Sequence, residues 1–161
     1  MYDALEVSRH IINYCNSHNY SVSNLKLQKL LYFVQAYFLI ASPKKNPCFV
    51  EEIEAWDFGP VVPKVYSEFK QFGSTDIPTI SFYYENSDGN FFKTNLVKFE
   101  DNKISKEDKI LINDVVENFK KYTATDLVKL THNQEPWLNA YHKGGNKIIK
   151  IESIRNYFDE K

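Results

Sequence analysis

Catalysis by side chains needs a nucleophile, a base or a metal held by converging groups, and few residues here are of those types. The four histidines are His10, His18, His132 and His142. None has the His-Glu-x-x-His or His-x-x-x-His spacing that sets two zinc ligands on one helix face. His132 and Glu135 lie three apart across an apparent helix-to-helix junction, a pair able to move a proton if both faced a cleft. The alternative is that His132 caps or bridges backbone groups where the two helices meet. Cys15 and Cys48 are too few for a disulfide framework, a zinc ribbon or an iron–sulfur site. Nothing beside either would draw its thiol toward thiolate, and Cys15 falls on an apolar helical face, as a buried inert thiol does. The five glycines form neither G-x-G-x-x-G nor G-x-x-x-x-G-K, so the usual phosphate-cradling loops are absent. The expectation is a chain with no cofactor, no metal, no small-molecule substrate and no enzymatic activity.

Charge narrows the partners. Twenty basic and 21 acidic residues give a formal net charge of −1, where a general polyanion binder carries a marked cationic excess. Arg9 and Arg155 are the only arginines, so the guanidinium fork that reads guanine is scarce. Twelve Phe, 11 Tyr and two Trp could stack on bases, but most sit at core spacing and the lysines between them are matched by acids. Nucleic acid is therefore not an expected partner. The same aromatic residues suit a protein interface. Trp56, Phe58, Tyr66, Tyr83 and Tyr84 lie outside the clearest helical stripes and are candidates for one.

Positioning these residues takes a framework, and 161 residues with 43% apolar and 25% charged side chains is the ordinary size and mix of one globular domain. Ala4, Val7, Ile11, Ile12 and Cys15 predict a helix over 4–18 with one buried stripe, capped by Asp3. Over 23–41, apolar residues surround nearly the whole circumference. That is the pattern of a central helix, leaving Gln28, Tyr32 and Gln35 as one narrow polar stripe and Pro43 and Pro47 to end it. Residues 49–58 read as extended, Gly59-Pro60 as a turn, and Pro63 as the first turn of a helix to Phe72 stopped by Gly73. Between Ile77 and Phe99 the period becomes two, with Ile80, Phe82 and Tyr84 on one face. Asp88-Gly89 marks a hairpin, and Phe92, Thr94 and Leu96 lie on the return strand. Ser105 with Asp108 opens a helix carrying Ile110, Leu111, Val115 and Phe119. Thr123 or Thr125 caps another, Pro136 begins a short one, and Ile151–Phe158 closes the chain as helix. The fold class is mainly α: a single helical domain spanning 1–161 around a buried central helix, with a β-hairpin insertion at about 77–99. No secretory leader is visible and no apolar run approaches the roughly 20 residues that cross a bilayer, so the expected location is the cytoplasm.

Three stretches in this order resemble the Panacea, or SocA-like antitoxin, domain, which occurs on phages and other mobile elements. They are Leu25–Phe33, Glu54–Tyr66 with its Trp56-Asp57-Phe58-Gly59-Pro60 core, and Leu130–Trp137. The resemblance runs from about Leu5 to Phe158. It implies a type II antitoxin that neutralises a cognate protein toxin by direct binding, in the SocA-like case as an adaptor that delivers the toxin to the Clp protease. The alternative is a phage or mobile-element protein that binds and inhibits a host defence complex. No stretch is left over for a separate DNA-binding module, so operon autoregulation is not expected. The candidate partner-binding residues are Trp56, Asp57, Phe58, Gly59, Pro60, Tyr66, His132 and Trp137. Fold maintenance is the competing role for each, because core and turn residues outnumber contact residues.

Overall fold

The computed structural model describes residues 1–42, 45–86 and 93–160. Of the described residues 53% are helical and 16% are strand, a mainly α fold with a minor β part. Asp3 accepts the Leu5 N–H at the start of α1 (Ala4–Ser17), which buries Ala4, Val7, Ile11, Ile12 and Cys15. Ser23 caps α2 (Asn24–Ala41) by accepting the Lys26 N–H. Pro43, expected to end this helix, lies outside the described residues.

After α2 the chain crosses to a small antiparallel sheet of β1 (Glu54–Trp56), β2 (Gly59–Val61) and β5 (Lys147–Ile148), in the order β2-β1-β5. Trp56 pairs with Gly59, Ala55 with Pro60 and Glu54 with Val61. The connecting turn is therefore Asp57-Phe58, and Gly59-Pro60 opens the return strand instead of forming the turn. Gly59 has φ +97°, a left-handed value that lets the strand leave the turn without a Cβ penalty.

Pro63 sits in the first turn of α3 (Pro63–Phe69), and a 3-10 turn, Lys70–Phe72, ends at Gly73. The excursion forms as a two-stranded ribbon, β3 (Phe82–Asn86) with β4 (Thr94–Lys98), Tyr84 opposite Leu96. Asp88-Gly89 and Phe92 lie outside the described residues. Phe82 is 56% exposed and Tyr84 70%, so the face they share is uncovered. Alternation fixes which side chains share a face, not whether anything packs on it.

Ser105 caps α4 (Lys106–Phe119), which buries Ile112, Val115 and Val116 while Ile110 is exposed. Leu111 and Phe119 also pack against the core, so of the four expected positions only Ile110 turns to solvent. A Thr123–Asp126 capping box opens α5 (Ala124–His132), Pro136 lies in the first turn of α6 (Glu135–Ala140), and α7 (Ile151–Asp159) follows β5. Helix α2 meets α1, α3, α4, α5, α7 and β2, which is why it can be apolar on nearly every side. No described helix is long and apolar enough to cross a membrane.

Candidate functional site

The polar residues of α2 turn inward and hold the loops of the molecule. Gln28 Oε1 accepts the Val62 N–H at 2.9 Å, and Asn24 Nδ2 donates to the Tyr66 carbonyl at 3.1 Å. Tyr32 donates its hydroxyl to Gln134 Oε1 at 2.9 Å, while Gln35 Oε1 accepts from the Cys48 N–H and its Nε2 donates to the Phe49 carbonyl. The stripe Gln28–Tyr32–Gln35 read from the sequence is therefore an internal one. Each amide or hydroxyl replaces water as the partner of a backbone or side-chain group that packing has buried.

Lys29 is the unexpected member. Its side chain is wholly buried, and its Nζ donates to the Pro60 carbonyl at 2.8 Å. No carboxylate lies within ion-pair distance of it among the described residues. Burial pulls its pKa down from 10.5 to about 7. The space above it is filled by Gly59: a Cβ there would sit 2.8 Å from both Lys29 Cε and Thr131 Oγ1. Gly59 is thus required twice over, by its φ and by the approach of α2 and α5 to its backbone.

On the far side of the turn, three rings form a stack. His132 lies 4.1 Å from Trp137 at 20°, and Trp137 lies 4.4 Å from Tyr141 at 16°. Trp137 Nε1 donates to the Trp56 carbonyl at 3.0 Å, and the Tyr141 hydroxyl donates to Asp57 Oδ1 at 2.9 Å. Burial lowers the His132 pKa, opposed by a hydrogen bond to the Asp57 backbone and reinforced by the Lys29 charge. Its Nε2 is buried without a hydrogen-bond partner among the described residues. No hydrogen bond or ion pair joins His132 to Glu135 among the described residues, and Glu135 is exposed. Burial raises the Cys15 thiol to about 11 and pushes the Cys48 thiol upward as well, which keeps both protonated and unreactive. Among the described residues no group of three His, Cys, Asp or Glu side chains is placed to hold a metal.

All eight candidate residues gather around the β1–β2 turn, in two layers. Gly59, Pro60 and Trp137 are buried, Trp56 and His132 are half-buried, and Asp57, Phe58 and Tyr66 are exposed. Phe58 is 66% exposed, a large apolar side chain at the tip of a turn tied down from three sides. Trp56 stands edge-on to Tyr66 at 5.0 Å, and its Nε1 donates to Glu54 Oε2. Leu25, Val61, Thr131 and Tyr141 also belong to this region, as does Lys29. The sequence signal for Lys29 is a charged residue inside a helix apolar on nearly all sides, where only an internal partner can satisfy it.

Comparison with known proteins gives the family. The family model described as "Antitoxin SocA-like, Panacea domain" matches residues 27–138, a span holding most of α2, the turn, the His132 and Trp137 rings of the stack, and the ribbon. The chain is similar to "Antitoxin SocA" from Caulobacter vibrioides (strain NA1000 / CB15N), 41% identical over 71 residues, which cover 44% of this chain and 37% of that protein. No solved structure matches significantly. With the family model matching more than half of its length, the chain belongs to the SocA-like antitoxin family and carries the Panacea domain.

Proposed function

We propose that this chain is the antitoxin of a type II toxin–antitoxin module and neutralises its cognate protein toxin by direct, non-enzymatic binding through the β1–β2 turn. The observation that carries this reading is the turn itself: Phe58 and Tyr66 are exposed beside Trp56 on a backbone held by Lys29, Gln28 and Trp137. A turn already fixed in one shape gives up little entropy when a partner lands on it, and its aromatic side chains bring large contact areas with few rotors. The buried residues, Gly59, Pro60 and Trp137, position the turn; Trp56, Asp57, Phe58, Tyr66 and the edge of His132 meet the toxin. Neutralisation takes place in the cytoplasm, and the bound toxin is handed to the Clp protease.

Co-expression with the product of the neighbouring open reading frame tests this. The wild type rescues growth and copurifies with that product. Phe58→Ala loses rescue with its melting temperature unchanged, because the lost side chain is mostly in solvent. A toxic neighbour that the wild type neither binds nor neutralises would refute the reading. In a host lacking Clp, a prolonged toxin half-life supports the adaptor step, and an unchanged half-life with full rescue shows that occlusion suffices.

A further inference from the structure

Beside the turn lies a groove of about 300 Å³, walled by Leu25 of α2, Trp56, Phe58, Val61 and Tyr66. Among the described residues its one acidic or basic lining residue is Asp57, and Gly144 and Asn146 of the loop before β5 also line it. We infer that this groove receives one apolar or aromatic side chain of the protein partner with a lysine or arginine next to it. The inference rests on the antitoxin reading for who the partner is, but not for the chemistry of the groove.

Shape and charge carry the argument. The walls are set before anything binds: Asn24 fastens the Tyr66 carbonyl, Gln28 fastens Val62, and the Trp56 and Tyr66 rings already meet edge-to-face. An apolar cleft whose walls do not have to reorganise loses less of its binding energy to ordering. At the mouth, Asp57 Oδ1 accepts from Tyr141, and Oδ2 has no protein partner among the described residues. Glu54 lies at the Trp56 edge, accepting its N–H. The cations of the surrounding elements point elsewhere: Lys29 inward to Pro60, and Lys64 to Asp3 and Glu51. Lys143 and Lys147 flank the Gly144–Asn146 loop in sequence without lining the groove. A carboxylate at an apolar mouth attracts a cationic side chain and repels a phosphate backbone, so the groove suits a basic–apolar peptide segment.

The two tryptophans make this measurable by NMR, since the Trp56 indole N–H reports on the groove while that of Trp137, bonded to the Trp56 carbonyl, serves as an internal reference. Titration with acetyl-Phe-Lys-amide should move the Trp56 signal and half-saturate at a roughly two- to fivefold lower concentration than acetyl-Phe-Glu-amide, the worth of one exposed charge pair. Asp57→Asn should bring the two curves together. Leu25→Glu on α2 and Tyr66→Ala on α3 should each abolish the shift in a chain that still melts cooperatively. An unmoved Trp56 signal, or equal or tighter binding of the glutamate peptide, overturns the inference. Full toxin rescue by both wall variants also overturns it while leaving the antitoxin reading intact. Peptide discrimination by a wild type that neutralises nothing overturns the antitoxin reading and upholds the groove.

Discussion

Lys29 is held by one carbonyl in a setting that disfavours its charge, and this gives the fold a pH signature. Below about pH 7 the side chain is protonated in both the folded and the unfolded chain, and folding bears the whole cost of burying the charge. Between about 7 and its ordinary value of 10.5, the unfolded chain still binds this proton and the folded chain does not. Stability from this residue therefore rises with pH across that window. The effect is best read as a difference against Lys29→Met, because the buried thiols act in the opposite direction at high pH. Urea titrations should show the wild type gaining on the variant by on the order of a few kcal/mol between pH 6 and 10. A difference that does not move with pH would mean that Lys29 keeps an ordinary affinity for its proton. Gly59→Ala is argued from the same contacts. Its φ and the 2.8 Å approach to Lys29 Cε and Thr131 Oγ1 predict a loss of about 2 kcal/mol or more, measurable as a lower denaturation midpoint.

Among the elements, the helices and the ribbon differ in how firmly they are held. Helices α4 and α5 each begin on a side-chain cap, and α4 stacks Phe119 on Phe33 of α2 at 4.3 Å. The β3–β4 ribbon has only a few ties. Asn13 bonds both the N–H and the carbonyl of Ile80 just before it, and the Arg9 guanidinium lies 3.6 Å from the Tyr83 ring centre. A two-stranded ribbon with one face in water is marginal by itself. Amide hydrogen exchange should therefore be orders of magnitude faster at Tyr84 and Leu96 than at Leu30 and Leu31, because the ribbon opens without unfolding the core. Equal protection in both places would show that ribbon and core unfold together.

For the molecule as a whole, all the buried apolar residues described but Val61 form one continuous cluster around α2, so damage to that helix is felt widely. Leu31, wholly buried there, is expected to cost about 2–5 kcal/mol when replaced by Ala, with circular dichroism and tryptophan fluorescence falling in one coincident transition. Separate transitions would mean that the turn keeps its shape without the core. Cooperation of this kind links fold to function, because the turn that displays Phe58 is fastened to the same helix that organises the core.

The sequence by itself determined the helices with strong caps and periodicity and the central position of α2, since these follow from local chemistry and spacing, while the motif residues were picked out by their resemblance to a family. It misplaced the β1–β2 turn by two residues, and it did not reveal the two-residue strand β5. Only the tertiary structure decided these, because pairing register and the covered face depend on neighbours distant along the chain. It also decided that the polar stripe of α2 faces inward, that Lys29 lies beneath Gly59, and that the candidate residues divide into a buried layer and a displayed one. Burial belongs to packing between elements, and no spacing of residues along one element encodes what will cover it.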